Sequence, residues 1–301
     1  MKPIIHLQQI SEINQFVQSK TKHPLVSVVD FGKVDQYLEE GMRINADFYT
    51  IMFKNYSANT LKYGRQSLDF QDGSLICIAP KQVLVMDTEI EENDDMLGWG
   101  LFFHPDLLRG TSLADKMDGY TFFDYDVTEA LHLSDKEKKI LFDCVQSIES
   151  ELQENIDAHS QTLIVSNIEL LLNYCDRYYS RQFITRKNTN LSTLSQVEKL
   201  LKSYFKNENI KENGLPTVKY LADEVHLSAS YLSDLLKKET GMNAQDHIHY
   251  YLIEEAKNIL LNTDYSASEI AYSLGFEYPQ YFSKLFKNKT GKTPIEYREL
   301  N

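Results

Sequence analysis

The sequence predicts an α+β protein in two parts. The first is an N-terminal antiparallel β-barrel with trailing helices, and the second is a C-terminal all-α domain with two helix-turn-helix units. Three observations predict this. Short β-branched and aromatic runs separated by polar turns fill residues 25–103. Helical spacing of apolar residues takes over after residue 134. Residues 218–241 recur, with substitutions, as residues 268–291. A chain of 301 residues also exceeds one comfortable core, so two domains are expected.

Five runs read as strands: 25–31, 48–53, 74–80, 82–86 and 97–103. Polar turn signals such as Gln71-Asp72-Gly73 and Glu92-Asn93-Asp94-Asp95 lie between them. Short strands at this spacing suggest a barrel or a sandwich. The run's aromatics, among them Phe48, Phe53, Phe70, Trp99 and Phe102, suit either a core or a small-molecule pocket.

Helices follow. Ser134-Asp135-Lys136-Glu137 is a capping box, and Ile140, Leu141, Cys144, Val145, Ile148 and Leu152 then share one face. Over residues 160–179, Ile164, Ile168, Leu171, Cys175 and Tyr178 alternate four and three apart. Such a stripe either packs on the chain's own barrel or forms a homodimer seam. Residues 181–193 are polar and aperiodic and read as a linker between a domain at 1–180 and one at 194–301.

In the repeat, Ala222 matches Ala271, Leu227 matches Phe276, and Tyr231-Leu232-Ser233 matches Tyr281-Phe282-Ser283. Thr240-Gly241 matches Thr290-Gly291, and the second copy has one extra residue in its turn. Each copy reads as a short helix, a tight turn and a second helix. The small alanines let the helices approach, and Gly275 suits a left-handed helix end. Residues 244–261 form one amphipathic connecting helix through Ile248, Leu252, Ala256 and Ile259. Ser266-Ala267-Ser268-Glu269 and Thr293-Pro294-Ile295-Glu296 are further helix starts. Helices crossed this way can place the second one in a DNA major groove.

Residues 194–300 resemble the AraC/XylS family DNA-binding domain. The resemblance rests on Ile270-Ala271, Leu274-Gly275-Phe276, Tyr281-Phe282-Ser283-Lys284-Leu285-Phe286-Lys287, Thr290-Gly291-Lys292-Thr293-Pro294 and Tyr297-Arg298. It covers about a third of the chain. It implies binding of double-stranded DNA, transcriptional control, usually activation, and RNA polymerase as a partner. It implies no cofactor and no catalysis. The N-terminal part is similar in outline to the cupin-like sensing and dimerisation domains of such regulators, which implies a small-molecule effector.

Elimination of the buried stripe leaves a DNA-facing side on each second helix. In the first copy it holds Ala229, Ser230, Ser233, Asp234 and Lys237; in the second, Pro279, Gln280, Ser283, Lys284 and Lys287. The family's base-contacting positions fall on Ser230, Ser233, Asp234, Gln280, Ser283 and Lys284. Gln suits adenine and Lys suits guanine. Residues 280–290 carry three lysines and no acid, whereas residues 230–240 are neutral. Asp234 could accept from cytosine N4, but pairing with a neighbouring lysine or plain solvation is the favoured reading.

The net charge of −13 argues against a DNA binder if taken whole, because phosphate attraction needs cations. The charge is uneven, however. Residues 1–190 hold 18 Lys and Arg against 29 Asp and Glu, and residues 191–301 hold 13 against 15. A local basic face suffices, and an acidic domain restrains non-specific binding. Composition is otherwise that of a globular protein. No secretory signal and no bilayer-length apolar run is visible. Three scattered cysteines build neither a metal pair nor a disulfide framework, so a reducing cytoplasm is the simplest compartment.

An enzymatic reading, a cupin-like oxygenase, lacks clustered His and Glu on its strands. His247 and His249 point about 200° apart on a helix and read as surface histidines rather than metal ligands. Asp69, Asp72, Asp87 and Glu89 are turn carboxylates that read as solvated.

Overall fold

The computed structural model describes residues 4–34, 42–54, 62–63, 66–67, 73–86, 98–206, 210 and 214–299. Phe70 and the carboxylates Asp69, Asp72, Asp87 and Glu89 lie outside these residues, as do the turn signals before Gly73 and at 92–95. The chain divides into two units, Met1–Thr185 and Arg186–Asn301.

The first unit runs β1 (Ile4–Leu7), α1 (Ile10–Phe16), β2 (Val26–Asp30), β3 (Met42–Ala46), β4 (Tyr49–Lys54), β5 (Lys62–Tyr63), β6 (Gln66–Ser67), β7 (Ser74–Ile78), β8 (Val83–Met86) and β9 (Gly98–Phe103). It continues with α2 (Ser112–Lys116), β10 (Leu131–His132), α3 (Asp135–Glu151) and α4 (Ser160–Thr185). Five strands form an antiparallel sheet in the order β10-β7-β4-β9-β2. Three more form the sheet β1-β3-β8, and β5 pairs with β6. Val29, Met52, Ile76 and Phe102 of the larger sheet pack with Leu7, Ile10, Ile44 and Leu84 in one core.

Two expectations are corrected here. Among the described residues the sheets are open and no closed barrel forms, because no ladder joins the larger sheet to the smaller one. The strands are also not all antiparallel, since β1 runs parallel to β3. A helix and a strand separate β1 from β3, so no tight turn imposes the antiparallel direction on them.

Strand alternation turns Ile51, Phe53, Leu75, Trp99, Leu101 and Phe103 to the other face of the larger sheet, where all are buried. The helix α3 starts at the Ser134–Glu137 capping box and packs along α4. The stripe Ile164, Ile168, Leu171, Cys175 and Tyr178 is wholly buried within this unit. The alternation in its spacing therefore marks internal packing and not a seam between copies.

The polar stretch 181–193 is helical on both sides of Arg186. Its first residues belong to α4 and serve the larger sheet. The Gln182 side chain accepts from the His132 backbone N–H at 2.9 Å and donates to the Ala130 carbonyl at 3.1 Å. One amide thereby satisfies two of the outward backbone groups at and beside β10, the sheet edge. Arg181 donates to the His132 carbonyl at 2.8 Å and to Glu137 at 2.9 Å. These residues are polar because they bind backbone, which hides them from a reading based on apolar periodicity.

The second unit is helical: α5 (Lys187–Lys206), α6 (Val218–Glu224), α7 (Ala229–Thr240), α8 (Ala244–Asn262), α9 (Ala267–Ser273), α10 (Pro279–Thr290) and α11 (Pro294–Glu299). The long helix α8 packs against α5, α6, α7, α9 and α11. Its buried residues include Ile248, Leu252, Ala256 and Leu260. Arg298 of α11 donates to the carbonyls of Leu260 and Tyr265, closing the C-terminal end of α8.

Candidate nucleic-acid interface

The two repeats fold with the same local bonds. In the first turn, Leu227 N–H donates to the Ala222 carbonyl at 3.0 Å; in the second, Phe276 N–H donates to Ala271 at 3.0 Å. Ala222 and Ala271 are buried where the paired helices cross. Both second helices end on a left-handed glycine, Gly241 and Gly291, whose N–H reaches the fourth residue back. Thr240 Oγ1 donates to the Leu236 carbonyl and Thr290 Oγ1 to Phe286, each at 2.8 Å. Leu232, Leu235 and Leu236 face the core in α7, as do Phe282 and Phe286 in α10.

Burial of those stripes leaves the opposite faces outward. Lys237 is exposed on α7, and Ser230, Ser233 and Asp234 are half-buried beside it. On α10, Gln280, Lys284 and Lys287 are exposed, whereas Pro279 and Ser283 are half-buried. Each expected residue thus lies on one of the two second helices. The joining helix α8 has 19 residues, a strut of roughly 28 Å.

The electrostatics of the two faces differ, though less than the lysine count suggests. Lys289 pairs with Asp246 of α8 at 2.9 Å, which holds that carboxyl below its usual range. Lys284 and Lys287 make no ion pair among the described residues. Among the described residues, the α10 lysines outside any ion pair are therefore Lys284 and Lys287. Beside the hydrogen bonds from Thr293, Lys287 lies close enough to Glu296 to help lower that carboxyl's pKa. Spacing along α10 gave the signal, since Lys289 lies about 140° around the helix from Lys284.

The reading of His247 as a surface residue is corrected. It is buried and shares a hydrogen bond of 2.9 Å with Thr240 Oγ1, and burial lowers its pKa. His249 is half-buried and bonds to Gln245 at 2.9 Å. Among the described residues no group of three or more His, Cys, Asp or Glu could hold a metal ion.

Residues 221–300 match the family model of a helix-turn-helix domain. The C-terminal unit carries an AraC-type helix-turn-helix domain. Relatives match parts of the chain. The HTH-type transcriptional regulator YfiF of Bacillus subtilis is 28% identical over 54% of this chain and 48% of its own length. The xylose operon regulatory protein of Escherichia coli is 36% identical over 28% of this chain and 21% of its own. The C-terminal domain of the response regulator yesN from Fusobacterium nucleatum is 30% identical, with a TM-score of 0.32 over 36% of this chain and 98% of that one. The chain spans between about a fifth and a half of the length of these curated relatives. The family model covers both repeats but for the first residues of the first copy, and the curated relatives are proteins named as regulators.

The first unit holds a cleft of about 860 Å3 between β2, β9 and α3. Val28, Phe53, Trp99 and Phe142 are among its apolar lining residues, and Lys139 and the ion-paired Lys22 and Glu149 are among its charged ones. That volume suits a small molecule. No helix among the described residues is long and apolar enough to cross a membrane.

Proposed function

We propose that this chain is a sequence-specific DNA-binding transcription regulator of the activating kind. Residues 194–301 read double-stranded DNA. The first unit, expected at residues 1–180 and running to Thr185, is a cupin-like sensing and dimerising domain. The observation that carries this is the pair of matching helix-turn-helix units, of which the second presents Gln280, Lys284 and Lys287 to solvent. The expected reading residues are Ser230, Ser233, Asp234 and Lys237 on α7, and Pro279, Gln280, Ser283, Lys284 and Lys287 on α10. The cleft lined by Trp99 and Phe142 is the place for a small-molecule effector. RNA polymerase and a second copy of the chain are the protein partners. The chain works in the cytoplasm, without a cofactor and without catalysis.

An alternative, a helical module that binds only protein, is disfavoured by the two unpaired lysines at the centre of the α10 face. The deciding experiment is recovery of bound genomic fragments with the full chain, followed by titration of a recovered duplex and a scrambled one at several salt concentrations. Specific binding that weakens steeply with salt is expected. Equal, salt-insensitive affinity for both duplexes would overturn the proposal.

A further inference from the structure

The same repeat position behaves oppositely in the two units. Tyr231 in α7 is only 4% exposed, whereas its counterpart Tyr281 in α10 is 62% exposed. The cap residues differ in the same way. Ser228 caps α7 by accepting from the Tyr231 N–H at 3.2 Å. Tyr278 holds that place in α10 and supplies no side-chain cap. A residue that cannot cap leaves an N–H of the first turn without the side-chain acceptor that Ser or Asp would give it. Tyr278 instead packs edge-on against Tyr281, with ring centroids 5.8 Å apart at 88°. Two large rings therefore stand in solvent at the start of the second reading helix, at the expense of a local rule.

Their position relative to the cations identifies what they meet. With α-helical rotation, Tyr281 lies about 60° from Lys284, but Ser283 lies about 100° away on the buried side. The outward arc of α10 is thus Tyr281, Gln280, Lys284 and Lys287, and Ser283 is at its margin. An aromatic ring beside unpaired lysines suits a polyanion with apolar spots on its surface. In a major groove those spots are the 5-methyl groups of thymine.

We propose that Tyr281, steadied by Tyr278, is a specificity-determining residue that packs on one thymine methyl in the half of the site read by α10. This rests on the DNA-reading function proposed above. The first repeat has no such residue, since Tyr231 is in the core, so the thymine requirement is one-sided.

The test uses the full chain and a recovered cognate duplex in which thymines are replaced singly by deoxyuridine, which removes the methyl and keeps pairing. One replacement, in the α10 half, is expected to weaken wild-type binding by about fourfold, the worth of one buried methyl group. Tyr281→Ala is expected to weaken cognate binding by about tenfold, to lose that deoxyuridine penalty and to leave the salt slope unchanged. Tyr281→Phe should retain both the affinity and the penalty. The inference is overturned if every deoxyuridine is tolerated, or if the penalty persists in Tyr281→Ala. Equal losses in Tyr281→Phe and Tyr281→Ala would also overturn it, because they would assign the contact to the hydroxyl and a phosphate. Specific binding combined with a silent Tyr281→Ala rejects this inference alone. Absence of specific binding by the wild type rejects the regulator reading and this inference with it.

Discussion

His226 and Gly275 occupy the same turn position in the two repeats and share the left-handed backbone conformation, at φ +57° and +81°. The turn demands that conformation because Leu227 and Phe276 must swing their N–H groups back to Ala222 and Ala271. Glycine adopts it freely, whereas histidine bears a steric cost of about 1–2 kcal/mol. Glycine has a second reason in the later copy, since a Cβ at 275 would lie 3.1 Å from the backbone of Gly214.

His226→Gly should therefore stabilise the second unit by roughly 0.5 kcal/mol, once the larger chain entropy of glycine is set against the relieved strain. Gly275→Ala should destabilise it by more than that. Trp99, the single tryptophan, lies in the first unit, so its fluorescence follows that unit alone, while far-UV circular dichroism follows the helices of both units, α3 and α4 included. The expected result is a shift in the part of the circular-dichroism transition that does not coincide with the Trp99 transition, which itself stays unmoved.

Gln182→Ala should act on the other unit. It strips the His132 N–H and the Ala130 carbonyl of their partner, at about 1–3 kcal/mol for groups left unsatisfied. The Trp99 transition in denaturant should move to lower concentration. An unchanged midpoint would mean that water replaces the amide without loss.

Leu171→Glu is a sharper test of where the α4 stripe belongs. Leu171 is fully buried inside the protomer, so the substitution should cost several kcal/mol and collapse the Trp99 transition. A stably folded monomer released from a dimer would instead assign the stripe to an interface.

Acid should weaken the second unit. The folded pKa of His247 is lowered by burial, and that of His249 by burial and by Lys289 nearby. The unfolded chain thus takes up protons near the ordinary value of 6.5 before the folded chain does. Stability is full above that value and falls as pH drops from it toward the folded pKa. Helical unfolding followed from pH 7.5 to 5 should show this slope, and His247→Gln should flatten it.

Binding should separate the lysines of α10. Lys287→Ala should lower the salt slope of duplex binding by about one and weaken all sequences alike. Lys289→Ala should leave that slope nearly unchanged, because Lys289 is tied to Asp246. Gln280→Ala and Lys284→Ala should cost ~1–3 kcal/mol and relax preference at one or two base pairs, and Ser233→Ala should do less. Fluorescence anisotropy on cognate and scrambled duplexes distinguishes these cases.

Local rules made much of this protein legible from its residues. Caps such as Ser134, Ser266 and Thr293, the alternating runs of β2, β4, β7 and β9, and the repeat about Ala222 and Ala271 announce themselves because each depends on neighbours a few positions away. The strands β1 and β3 were not legible, since they pair across more than thirty residues and their partners have no local signature. Gln182 read as part of a polar linker and Lys289 as one of three lysines on the second helix, although each binds a group remote in sequence. The sequence by itself determined the helix-turn-helix repeat, its caps and the residue types on its outward faces, because helical period and turn chemistry are short-range. Tertiary contacts were needed to show that the sheets are open among the described residues, that the α4 stripe is internal, and that Tyr281 is outward while Tyr231 is not. Which neighbour covers a side chain depends on contacts between distant segments, and identical local sequence leaves that choice open.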